Sequence, residues 1–223
     1  MSAINVLVQS KAVHFLTDGA GYDADRTFLM RGPKILPVPH LSCAISVRGP
    51  ASARPILCEL LSHVGTSYNE LRSSAAEAVR EACKFYAPVF AQCSTGSDLE
   101  EVVGGFTDEG LPDAYMVASH SRYGSEPWMV TPIEGLTFLP NDQKLHARVV
   151  ASLPAGATPD DLDFAKVGLA IMELQRSNPE ASSEGDNKCA IGAFAQMTTI
   201  TVDGIQTKII HRWPDVIGER VAA

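Results

Sequence analysis

Nothing in this sequence resembles a membrane span, because no apolar run approaches eighteen residues. That excludes a helical transmembrane protein. The chain does not begin with a positively charged stretch followed by an apolar core, so no secretory leader is expected. Basic charge is in short supply. Lys and Arg number 18 against 26 Asp and Glu, a formal net charge of −8, whereas nucleic-acid binding asks for a basic face. The same balance argues against an anionic membrane surface as partner. Cys43, Cys58, Cys83, Cys93 and Cys189 are odd in number and form no CxxC pair. They read as reduced thiols of a cytosolic compartment rather than a disulfide framework. The expectation is a cytoplasmic protein with neither nucleic acid nor membrane among its partners.

The common catalytic signatures are missing as well. There is no GxxxxGK[ST], no GxGxxG after a strand, no HExxH and no GxSxG. That removes the usual local cues for nucleotide binding, zinc peptidases and α/β-hydrolases. His14, His40, His63, His120, His146 and His211 never pair at ligand spacing. No cofactor and no metal are expected. Internal repeats and low-complexity linkers are also lacking, so 223 residues with 45% hydrophobic content are expected to form a single domain over 1–223.

What is present is a clear alternation of period. INVLV and AVHFLTD read as a hairpin of two strands. DGAGYDADRTFLMRGP reads as a turn-bearing loop around a short strand, and LSCAISV as a strand that stops at Gly49-Pro50. From Ala53 the apolar residues recur at three and four, which predicts two helices separated by Gly65-Thr66-Ser67, with Ser67 or Thr66 as N-cap. LEEVVGGF, AYMVASH, WMVTPI and GLTFLP return to strand character. ATPDDLDFAKVGLAIMELQRS predicts one helix capped by Thr158, with Pro159 at its first position. Two strands around the turn Asp203-Gly204 close the pattern, and the tail PDVIGERVAA is uninformative. Helices arriving in blocks predict a mixed α+β layout: two sheets with helices packed outside them, not a parallel βαβ sheet.

Taken singly, the polar residues near the front have plain readings. Asp18 before Gly19 suits a turn, Lys34 beside Pro33 suits a solvated loop, and Gly49-Pro50 ends a strand. Together they form a pattern. A first strand starts at Ile4, two residues after Ser2, a second apolar strand ends in Asp18, and Lys34 opens KILPVP before a strand ending in Arg48-Gly49. Counted from Ser2, Asp18 lies 18 − 2 = 16 residues on and Lys34 lies 34 − 2 = 32. This front end resembles the proteasome β-subunit family of N-terminal nucleophile (Ntn) hydrolases. The resemblance rests on motifs over residues 2–50 and on layout for most of the chain.

The resemblance implies a four-layer αββα sandwich of two antiparallel sheets flanked by helices. It also implies hydrolysis of a peptide or amide bond, no cofactor, homo-oligomerisation, and an ATPase or assembly partner that the sequence does not name. Ser2 is the implied nucleophile once Met1 is removed, and its α-amine the base. A free α-amine titrates near 8, far below a lysine, so it can take a proton close to neutral pH. Lys34 is implied to favour the alkoxide, Asp18 to keep Lys34 charged and aimed, and the Arg48 and Gly49 backbone N–H groups to face the oxyanion.

Departures from the family's pattern support a second reading, the same fold kept as a non-catalytic structural or assembly subunit. GLTFLPNDQKLHARVV has no serine where the family carries a Ser-Gly-rich loop, Cys189 stands near Asp186 where the family has Ser, and Pro50 lacks an N–H. A third reading, an unrelated α+β binding module, requires Ser2, Asp18 and Lys34 to lie far apart.

Overall fold

The first hairpin sets the scaffold. In the computed structural model, which describes residues 3–92, 98–122, 126–140, 143–177 and 190–221, β1 (Ile4–Gln9) and β2 (Ala12–Asp18) pair antiparallel, Gln9 opposite Ala12. β3 (Ala20–Tyr22) and β4 (Phe28–Arg31) make a small separate ribbon. β5 (Ile35–Val38) and β6 (Cys43–Arg48) follow, then α1 (Ala53–Leu61), α2 (Tyr68–Phe85) and the short α3 (Ala87–Phe90). β7 (Glu100–Phe106), β8 (Pro112–Ala118), β9 (Val130–Pro132) and β10 (Leu136–Leu139) come next. α4 (Gln143–Ser152), α5 (Phe164–Arg176), β11 (Phe194–Thr201) and β12 (Gly204–Arg212) complete the order.

The strands form two five-stranded sheets, β10-β1-β2-β11-β12 and β5-β6-β7-β8-β9, with antiparallel pairing between neighbours. Side-chain alternation sorts their faces. Val13 and Phe15 of the first sheet pack on Ala44, Val102 and Met116 of the second. The opposite face of the second sheet carries Ile45, Val47, Val103 and Tyr115 against Leu57, Leu71 and Val79 of α1 and α2. Leu7, Leu16 and Met197 on the other side of the first sheet meet Phe164 and Met172 of α5. Every residue of β6 and β7 is buried, as strands covered on both faces must be. Gly104 lets the sheets close: a Cβ there would stand 2.8 Å from the Phe15 ring. Among the described residues, no helix is long and apolar enough to cross a membrane.

Several local expectations change. α4 was not expected, since only Leu145 and Val149 of its ten residues are buried and so narrow a stripe gives little periodicity. The helix expected from Thr158 divides in two. Thr158 caps a single 3-10 turn at Pro159–Asp161, the chain extends at Leu162, and α5 begins with Asp163 as its N-cap. The loop after Asp18 contains two paired strands instead of one. The tail, on which the sequence is silent, is tied to β4 by backbone bonds: Gly218 donates its N–H to the Phe28 carbonyl, and Phe28 donates to the Glu219 carbonyl. Ser67 does cap α2, accepting the Glu70 N–H, while the Glu70 carboxylate accepts from Thr66.

Candidate functional site

Asp18 ends the central strand of the first sheet, where β1 and β11 flank β2 and exclude water. A carboxylate in such a place must be fully bonded, and it is. Oδ1 accepts Lys34 Nζ at 2.7 Å and the Ala3 N–H at 3.0 Å. Oδ2 accepts the Ala20 N–H at 3.1 Å and the Gly192 N–H at 3.3 Å. Lys34 reaches this point because β3 and β4 carry the chain out and back. The Gly32 N–H bonds the Gly19 carbonyl at 3.0 Å, which brings residue 34 beside residue 18. The Lys34 carbonyl accepts the Ser46 hydroxyl at 2.8 Å, tying the lysine's backbone to β6. The lysine side chain is only 9% exposed. The solvated-loop reading of Lys34 is therefore corrected, while Asp18 does accept the N–H two residues on, as a turn residue does, and holds Lys34 as well.

Of the expected site residues, the structure brings Asp18 and Lys34 together next to the Ala3 amide. Ser2 lies outside the described residues, as do Asp186 and Cys189. Arg48 ends β6, and Gly49 begins the turn that follows. Gly49 adopts φ +141°, and a Cβ there would stand 2.8 Å from the Asp98 carbonyl oxygen, so the turn requires glycine.

A second set of polar side chains, whose pairing was not singled out in the sequence, lies at the ends of β6 and β7. The Arg48 guanidinium is wholly buried and meets Glu100 Oε1 at 3.1 Å. His120 Nε2 bonds the same oxygen at 2.9 Å, while its Nδ1 accepts the Arg122 N–H at 3.4 Å, which puts the ring proton on Nε2. Burial pushes the Glu100 carboxyl up, but Arg48 and His120 outweigh it and hold it below the ordinary value. Arg122 pairs in turn with Asp98. The available signal was LEEVVGGF, two acids opening a strand otherwise fit for the core.

The second of those acids faces the other way. Glu101 alternates with Glu100 and lies under α1 and α2, near Cys43 and Cys58, where burial lifts its carboxyl to about 8. Burial, with Glu101 adding to it, pushes both thiols up to about 12. Thiols held protonated are poor nucleophiles, so neither serves the site.

A further ion pair lies behind Asp18. Arg176, ending α5, holds Asp215 through two nitrogens at 2.7 and 3.1 Å, and Asp215 accepts the Ala193 N–H at 2.8 Å. The spacing of 39 residues left no mark in the sequence.

Two antiparallel sheets pack face to face, and the buried Asp18–Lys34 couple lies beside the Ala3 amide. Solved structures of a proteasome-like Ntn fold superpose on this arrangement. A mutant Anbu from Hyphomicrobium sp. gives a TM-score of 0.69 at 13% identity, over 95% of this chain and 87% of that one. Anbu (ancestral beta-subunit) from Yersinia bercovieri gives 0.65 at 11%, covering 95% and 87%. The Anbu of a helical assembly from Pseudomonas aeruginosa gives 0.64 at 13%, covering 96% and 88%. At these identities the likeness is one of fold. No protein-family model and no curated protein matches the sequence.

Proposed function

We propose that this chain is a single-domain Ntn hydrolase, built as a four-layer αββα sandwich, that cleaves a peptide or amide bond with Ser2 as nucleophile. The observation that carries the reading is the buried Asp18–Lys34 couple, whose carboxylate also holds the Ala3 amide. After removal of Met1, the Ser2 α-amine takes the hydroxyl proton as Oγ bonds to the substrate carbonyl carbon. The Lys34 ammonium favours the alkoxide and keeps the amine neutral, and Asp18 holds Lys34 charged and oriented. Arg48 and Gly49 supply backbone N–H groups to the oxyanion, a contribution of about 3 kcal/mol per donor in such sites. The amine then returns its proton to the leaving nitrogen, and water releases the acyl group from Ser2. A homo-oligomer suits this fold, since the Pseudomonas aeruginosa Anbu forms a helical assembly.

The first test is the intact mass of the native protein, followed by hydrolysis assays on peptide amides. Loss of one methionine and turnover abolished by Lys34→Ala support the reading. A retained Met1 acylates the Ser2 nitrogen and contradicts it, since an amide nitrogen is no base. The absence of serine from 135–150 favours the second reading, a non-catalytic subunit of the same fold. That reading expects a folded protein without turnover.

A further inference from the structure

We infer that Arg176 and Asp215 are positioning residues for the Asp18–Lys34 couple, acting through the Gly192 peptide. The catalytic meaning of this inference rests on the proposed function, while its geometry does not. Gly192 touches the site from behind: its N–H bonds Asp18 Oδ2 at 3.3 Å and its carbonyl accepts the Gly19 N–H at 3.1 Å. Both flanking peptides are held by the ion pair. Arg176 Nη1 donates to the Ile191 carbonyl, and Asp215 Oδ2 accepts the Ala193 N–H at 2.8 Å.

The clamp is tight. A Cβ on Gly192 would stand 2.4 Å from Asp215 Oδ2 and 3.1 Å from Arg176 Nη1. Ala193 sits at φ +64°, a left-handed conformation that a non-glycine residue keeps only when bonds on both sides hold it. Here they do, since the Ala193 carbonyl also accepts the Trp213 N–H at 3.1 Å. The Trp213 ring covers the guanidinium at 5.2 Å.

The same aspartate reaches the lysine arm. Its backbone carbonyl accepts Arg31 Nη2 at 2.7 Å, and Arg31 ends β4 three residues before Lys34. Asp215 thus braces both approaches to the couple. A buried pair adds little to net stability but fixes geometry, and a bidentate Arg–carboxylate fork does so best. Without it the Gly192 N–H leaves Oδ2, and the Asp18 carboxylate becomes free to turn away from Lys34.

The test compares wild type with Asp215→Asn, which keeps shape and loses charge, and Arg176→Lys, which keeps charge and loses the fork. Amide exchange is read at Gly192 and Ala193, with Val102 and Val103 in β7 as references for global opening. Acylation of Lys34 by acetic anhydride is read by peptide mapping. In Asp215→Asn, exchange at Gly192 and acylation of Lys34 each rise about tenfold while β7 stays protected, as expected for one lost hydrogen bond. Arg176→Lys shifts both in the same direction and decides the matter where Asp215→Asn does not fold. Unchanged Gly192 exchange and Lys34 acylation, or a rise at β7 in step with them, overturn the inference. Where wild type forms a Ser2 adduct with a β-lactone, Asp215→Asn forms it about tenfold more slowly; equal rates also overturn the inference. A wild type that forms no adduct contradicts the proposed function instead, and the exchange readout still decides the positioning role.

Discussion

Removing the lysine from the Asp18–Lys34 couple leaves a carboxylate with no cation in a place that water does not reach. Lys34→Ala is expected to cost about 3–5 kcal/mol, the usual penalty for breaking a buried pair from one side. Adding Asp18→Asn to Lys34→Ala recovers part of that loss, because the stranded charge is gone. Urea denaturation at neutral pH measures both. Glu101 predicts a pH dependence of its own. Its carboxyl, ordinarily near 4.5, is raised to about 8 by burial, so the folded chain keeps a proton that the unfolded chain has released. Stability is therefore highest below the unfolded value, falls as pH rises through the interval, and levels off above about 8. The slope within it approaches about 1.4 kcal/mol per pH unit. Glu101→Gln is expected to flatten that slope in denaturation series at several pH values, and a variant with wild-type slope contradicts the assignment. At this scale the sequence was partly legible. Asp18 and Lys34 stand at the ends of apolar segments, at a spacing from Ser2 that resembles that of the proteasome β-subunit family. Glu100, Arg176 and Asp215 acquire partners only when β6 meets β7 and the tail folds back on α5, so no local pattern announces them.

Elements were legible where composition and turn chemistry are strong. β1 and β2 follow from their β-branched and aromatic content, β11 and β12 from the turn at Asp203-Gly204, and α2 from its cap and its buried positions Leu71, Ala75 and Val79. The start of α5 was missed because Thr158-Pro159 carries every cue of a helix N-terminus, yet the capping box there closes only one 3-10 turn. Leu162 then extends the chain and Asp163 begins again. Asp163→Ala is therefore expected to lower the melting temperature through loss of the α5 cap. Thermal melts that show no change would return the cap to Thr158. The end of β6 gives a sharper prediction. Gly49→Ala forces a Cβ against the Asp98 carbonyl oxygen at a positive φ and is expected to cost about 1–3 kcal/mol. The same change disturbs the Arg48–Gly49 peptide, so it should impair any hydrolysis more than it impairs folding. A variant that melts lower but turns over normally would contradict the proposed role of that peptide as an oxyanion donor.

For the molecule as a whole, the order of strands and helices foretold two sheets with helices outside them, and the packing of Phe15 on Val102 and of Leu57 and Leu71 on the far face of the second sheet agrees. Which strand lies beside which was not legible. β10 joins β1 and β11 joins β2 from far along the chain, and those neighbours follow from closing the sheets, not from any local segment. That closure buries Asp18 at the centre of a sheet and brings the loop at Gly192 onto it. The central claim is that this arrangement serves a nucleophile at the amino end. Incubation of the native protein with a β-lactone, followed by peptide mapping, tests it most directly. The account predicts one acyl adduct on Ser2 that Lys34→Ala abolishes. No adduct on a protein that has lost Met1, or an adduct that survives Lys34→Ala, would contradict it.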